Sequence, residues 1–216
     1  MEKEQLLSAI TKSRDSSNRR NFTQTFDLIV NLKGLDMKKQ EHQVDAFIKL
    51  PNSRGKKVRV CALVGAELEE QAKNIFDFVI ASDNFEKYKL KKDMRKIANG
   101  YDYFVAQANI MPKVATIFGR VFGPRGKMPN PKSGCVVTPN TNLKSLYEVL
   151  QRTVKIKTKS APIIQCAVGT EGMDDNLVAD NALLVYNSLV QLLPGEKNNI
   201  RDSYLKLTMG KPVKLE

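Results

Sequence analysis

Two textures of apolar spacing alternate along the 216-residue chain. Residues 2–15 place Leu6, Leu7 and Ile10 at helical intervals opposite charged positions, which predicts an amphipathic helix. A polar, basic run over 13–20 reads as a loop. Three strand-like runs follow, at 26–32 (FDLIVNL), 44–50 (VDAFIKL, with one wet face) and 58–64 (VRVCALV), with a Gly-containing basic turn at 51–57. After Gly65 helical and strand patterns alternate. Helices are predicted over 68–78, 88–99, 111–122 and 143–151, with short strands at 78–80, 103–107 and 135–137. That alternation predicts a small parallel-sheet unit. From Thr153 the first texture returns, with strands at 154–159 and 163–168 around 160–162. The longest amphipathic helix covers 177–193, counts Leu177, Leu184, Leu189 and Leu192 among its apolar positions, and is closed by Pro194-Gly195. A last strand falls at 204–208. The simplest arrangement has two domains. A composite, sandwich-like α+β domain is built from both chain ends, 1–64 plus 155–216, and an inserted small α/β domain, Rossmann-like, occupies 65–154.

Composition narrows the function. A hydrophobic content of 42% supports a folded core. A net charge of +12 points to a polyanionic partner such as nucleic acid. Both predicted domains are basic, so charge alone does not choose between them. No apolar run is long enough to span a bilayer, and the start, MEKEQLLSAITKSR, lacks the basic-then-apolar order of a signal peptide. The expectation is a cytoplasmic protein without membrane association. Cys61, Cys135 and Cys166 are odd in number and widely spaced, which fits reduced thiols, and His42 is the only histidine. These leave little for a metal site or a nucleophilic triad, so no metal, no cofactor and no catalytic residue is expected.

The most unusual stretch is 118–134, FGRVFGPRGKMPNPKSG, which is rich in Gly and Pro and free of acidic side chains. Gly119, Gly123 and Gly126 permit backbone angles closed to other residues, and Pro124, Pro129 and Pro131 oppose helix and central strand. The stretch is expected to be a stiff, exposed cationic loop that meets a polyanion through Arg120, Arg125, Lys127 and Lys132. It is not a P-loop, because Val121 stands where the first Gly belongs and Met128 replaces the hydroxyl residue. Gly123-Pro-Arg-Gly126 matches a KH-type G-x-x-G only in isolation.

GPRGKMPNPKSG resembles the signature loop of the L-one family of large-subunit ribosomal proteins, which belong to the mobile stalk beside the tRNA exit site. NFTQTFDLIVNLKGLDMKK, KLPNSRGKKVRVCALVG and YLKLTMGKPVK resemble the archaeal branch of that family, in the right order and over nearly the whole chain. The resemblance implies the same two-domain split, joined by a two-stranded hinge. It also implies that the tight rRNA contact belongs to the composite domain, while the insert meets RNA or exiting tRNA more loosely. Carried over by motif, the rRNA-binding segments are Asn21, Phe22 and Thr25 within NFTQT, leading into Asp27, and Thr208, Met209 and Gly210. The residue types suit this role. Phe22 offers a stacking face, Thr25 and Thr208 offer hydroxyls, and Gly210 allows close approach of an RNA backbone. Lys157, Lys159 and Lys206, expected on neighbouring strands, would add non-directional attraction.

The implied function is a structural constituent of the large ribosomal subunit, not an enzyme. Its implied partners are large-subunit rRNA, exit-site tRNA, other ribosomal components and its own mRNA, which it would repress through an rRNA-like site; free, it would be monomeric. Two other readings compete. One is an enzyme acting on nucleotides, for which no G-x-G-x-x-G or Walker motif is present. The other is a non-specific basic RNA-binding protein or chaperone.

Overall fold

The computed structural model describes residues 1–18, 20–88, 90–158 and 161–215. The chain forms two compact units, one from Met1–Lys56 and Arg152–Glu216, the other from Lys57–Gln151.

In the composite unit, β1 (Thr25–Leu32) is the pivot. Its even-numbered residues Phe26, Leu28, Val30 and Leu32 are buried and alternate with half-exposed ones, as a strand with one covered face requires. It pairs antiparallel with β8 (Ile163–Thr170) and β9 (Ile200–Leu207), and a short edge strand, β10 (Val213–Lys214), completes the sheet in the order β10-β9-β1-β8. Two helices supply the apolar cover: α1 (Lys3–Asp15) through Leu6 and Ile10, and α6 (Asp175–Leu192) through Val178, Ala182, Val185, Tyr186 and Leu189. The expected leucines at 177 and 192 instead lie on the exposed side of α6, because the buried stripe is set by Val178 and its helical neighbours. A two-stranded antiparallel ribbon of β2 (Asp45–Lys49) and β7 (Thr153–Lys157) adds Ile48, Val154 and Ile156 to the same core.

Two polar side chains, one buried and one half-buried, lock the loops of this unit. Asn181 of α6, fully buried, donates to the Val168 carbonyl (2.8 Å) and accepts the Asn52 N–H (3.1 Å). The Arg14 guanidinium binds the Glu171 carbonyl (2.6 Å), the Met173 carbonyl (3.0 Å) and the Asp175 carboxylate (2.7 Å), while lying over the Phe26 ring at 5.3 Å.

The inserted unit is a parallel sheet of β3 (Val60–Val64), β4 (Phe78–Ala81), β5 (Tyr103–Gln107) and β6 (Val136–Val137) in the order β4-β3-β5-β6. Every residue of β3 is buried, as expected of a parallel strand covered on both faces. Cys61 and Leu63 enter one core with residues of α3 (Lys91–Gly100) and α4 (Met111–Phe122); Val60, Ala62 and Val64 enter another with α2 (Ala66–Ile75) and α5 (Leu143–Arg152). The fold is therefore mixed α+β and α/β. The compact units divide at Lys57 and Arg152, whereas the texture of the sequence divides them at 65 and 155; β3 hydrogen-bonds inside the inserted sheet. The change of texture at Gly65 marks the end of a strand. Beside these crossings Gln151 grips Val58, accepting its N–H (2.9 Å) and donating to its carbonyl (2.8 Å).

Candidate nucleic-acid interface

The two segments singled out in the composite unit, 21–27 and 208–210, lie side by side. The cause is register. β1 and β9 run antiparallel with Phe26 opposite Leu207, so the residues before β1 meet those after β9. Thr208 Oγ1 accepts the Thr25 N–H (3.0 Å) and donates to the Thr25 carbonyl (3.3 Å). The Met209 N–H is held by Gln24 Oε1 (3.1 Å). On this stapled edge Phe22 is 51% and Met209 61% exposed, so neither fills the core. An exposed Phe and an exposed Met on two hydrogen-bonded segments offer apolar side chains suited to bases or ribose.

The Thr208 hydroxyl is not the free group its sequence suggested. Its hydrogen and one lone pair are engaged by Thr25, leaving a lone pair that accepts but no proton to donate to a phosphate. Gly210 does not adopt a left-handed conformation. What favours glycine there is close packing, since an added Cβ would stand 3.2 Å from the Leu207 Cβ and require it to shift slightly. Asp27 faces Lys206 across the β1–β9 ladder. Half-burial raises the Asp27 carboxyl above its ordinary value, and Lys206 opposes part of that rise. The Lys206 ammonium donates to the Thr208 carbonyl (2.9 Å) and so braces the same turn. Asn21 is exposed at the outer end of the segment.

The lysines do not form one group. Lys206 is on β9, whereas Lys157 is on β7, whose partner is β2, so they belong to different sheets. Lys157 pairs with Asp45 (3.3 Å), a contact set by the β2–β7 register. Lys159 lies outside the described residues. Sequence reasoning also passed over a buried residue at the interface. Gln24 is 2% exposed and shares the inward phase of Phe26 and Leu28, the signal by which alternation would have found it.

The signature stretch is only partly a loop. Phe118 and Phe122 are fully buried within α4, stacked at 5.2 Å. Gly119 is helical and Gly123 caps the helix at φ −56°, so of the three glycines expected to adopt special angles only Gly126 does, at φ +64°. Arg120, Arg125 and Lys132 are exposed. Lys127 points inward, and its ammonium donates to the Ala98 carbonyl (2.7 Å) and the Tyr101 carbonyl (2.6 Å), closing the C-terminal end of α3. Burial lowers the Lys127 pKa from its ordinary value, with Asp102 opposing part of the effect. It is an anchor of the stretch and not one of its outward charges.

Among the described residues no cluster of His, Cys, Asp and Glu could hold a metal ion, and no helix is long and apolar enough to cross a membrane.

Residues 12–211 match the model of the ribosomal protein L1p/L10e family. The chain is 39% identical to the large ribosomal subunit protein uL1 of Methanothermobacter thermautotrophicus over 214 residues, covering 98% of this chain and 99% of that one. It is 39% identical to uL1 of Methanocaldococcus jannaschii, covering 100% and 97%, and 41% identical to uL1 of Nanoarchaeum equitans, covering 95% and 97%. Matches of this extent include both chain ends and the insert, and on them the chain belongs to the ribosomal protein L1p/L10e family.

Proposed function

We propose that the protein is a structural, non-catalytic constituent of the large ribosomal subunit, resident in the cytoplasmic ribosome, and that it binds stalk rRNA through the stapled edge of its composite unit. One observation carries this reading: two segments at opposite ends of the chain are hydrogen-bonded into a single surface on which Phe22 and Met209 are exposed. Phe22 and Met209 would cover bases or ribose, Thr208 Oγ1 would accept a 2′-OH, and Lys206 would supply charge. Arg120, Arg125 and Lys132 of the insert would make looser contacts to RNA or to deacylated tRNA leaving the exit site. The same edge would bind an rRNA-like element in the protein's own mRNA and repress its translation. Both of these finer roles rest on the family resemblance.

The test is affinity for stalk rRNA at several salt concentrations, with the full chain carrying Phe22→Ala, Met209→Ala or Lys132→Ala. The first two are expected to weaken binding about tenfold or more, and Lys132→Ala by less than about threefold, with a shallow salt slope. Equal or reversed losses would move the site to the insert. A steep slope without RNA preference would make the protein a non-specific polyanion binder.

A further inference from the structure

Four segments meet around the buried residue Gln24. Its Nε2 donates to Ser17 Oγ, just beyond α1 (3.1 Å). Its Oε1 accepts the Met209 N–H (3.1 Å), and its own carbonyl accepts the Glu171 N–H (2.9 Å). The Glu171 carbonyl is in turn held by Arg14 (2.6 Å). Gln24 is thus joined to the end of α1, to the turn between β8 and α6, and to the turn after β9. A neutral amide is the group that accepts from one partner while donating to another without bringing charge into the interior.

We propose that Gln24 is a positioning residue of the RNA site. It contacts no RNA, but it fixes the 208–210 turn against the 21–25 segment and so holds Met209 and Phe22 in one arrangement before RNA arrives. The inference rests on the RNA-binding reading above. Its physical basis is ordering. Met209 is 61% exposed and its backbone N–H is held by Gln24, while Gly210 N–H closes back on the Leu207 carbonyl (2.9 Å). A turn untethered at Met209 must be ordered on binding, at a cost of roughly tenfold in affinity.

The experiment measures stalk-rRNA affinity and hydrogen exchange of the Met209 amide in the full-length wild type, Gln24→Leu, Gln24→Glu and Met209→Ala, at a temperature where each is folded by circular dichroism. Gln24→Leu is expected to lower affinity about tenfold and to speed exchange at Met209 by a similar factor. Gln24→Glu keeps an acceptor for the Met209 N–H, and the Ser17 hydroxyl turns to donate, so exchange stays protected and affinity stays above that of Gln24→Leu. Unchanged affinity in Gln24→Leu, with Met209→Ala weakened, overturns the positioning role and leaves the RNA site standing. Unchanged affinity in both overturns the site itself. If Gln24→Leu fails to fold, Ser17→Ala removes only the outer anchor. It is expected to weaken binding about two- to threefold with faster exchange at Met209, and no change in either would overturn the proposal.

Discussion

Replacing Lys127 by Met separates the two roles that a cationic loop residue can have. The substitution keeps the length of the side chain and removes the ammonium that donates to the Ala98 and Tyr101 carbonyls at 2.7 and 2.6 Å. Charge-assisted bonds of this kind contribute roughly 1.5–3 kcal/mol each. The dehydration that lowers the Lys127 pKa offsets part of that, and the group remains partly exposed, so about 1 kcal/mol per bond is the fairer figure. A cation at the end of α3 adds about 0.5 kcal/mol. The expected loss is therefore about 2.5 kcal/mol, confined to the inserted unit. Amide hydrogen exchange across α3 and β5, compared with the β1–β9 ladder, reads this directly. Stalk-rRNA affinity measured on the same samples is expected to stay within about twofold. Normal protection in α3 with a large drop in RNA affinity would refute the reasoning and return Lys127 to the nucleic-acid surface.

Three further outcomes follow from the geometry. Asn181→Leu leaves the Asn52 N–H and the Val168 carbonyl without their partner and is expected to destabilise the composite unit by about 3 kcal/mol in urea titration; a loss below about 1 kcal/mol would mean the loop re-satisfies itself. Asp77 would be raised by burial alone, but the Val60 N–H, Lys57 and Tyr147 overturn that and lower its pKa. Its contribution is therefore present above the ordinary carboxyl value of 3.8 and lost as pH falls through the lowered one, so wild type and Asp77→Asn should differ in insert stability at pH 7 and converge under acid. Cys61, Cys135 and Cys166 are buried, and burial pushes the Cys166 thiol up to about 12 and Cys61 higher still. A thiol reagent at pH 8 should find none of them in the folded protein and all three after unfolding, and rapid native labelling would count against the packing described.

The order of elements was legible because each has its own period. FDLIVNL alternates with period two and appears as β1, while the continuous VCALV of β3 is the mark of a strand covered on both faces. What stayed hidden was set by pairing across long separations. The first half of β9 is the polar Ile200-Arg-Asp-Ser, and it is a strand only because Val30 and Asn31 offer it a ladder. Edge strand β10 has two residues and no period of its own. The site was legible as segments and not as chemistry. Sequence shows the hydroxyl of Thr208 and the charges of Lys127 and Lys157, but not that Thr25, the end of α3 and Asp45 already engage them. Gln24 was named within NFTQT yet passed over, because a polar residue in a polar run gives no sign of burial unless its phase with Phe26 is followed.

The Thr25–Thr208 staple joins residues 183 positions apart, with the entire inserted unit between them. A chain made from its N-terminus completes that insert long before β9 exists. β1 waits without either neighbour until β8 and then β9 emerge. The candidate interface is consequently assembled late, and a nascent chain that stops short of residue 208 carries Phe22 without Met209 or the staple. A chain that stops short of the 208–210 turn leaves Gln24 and Thr25 without the partners that hold this edge together.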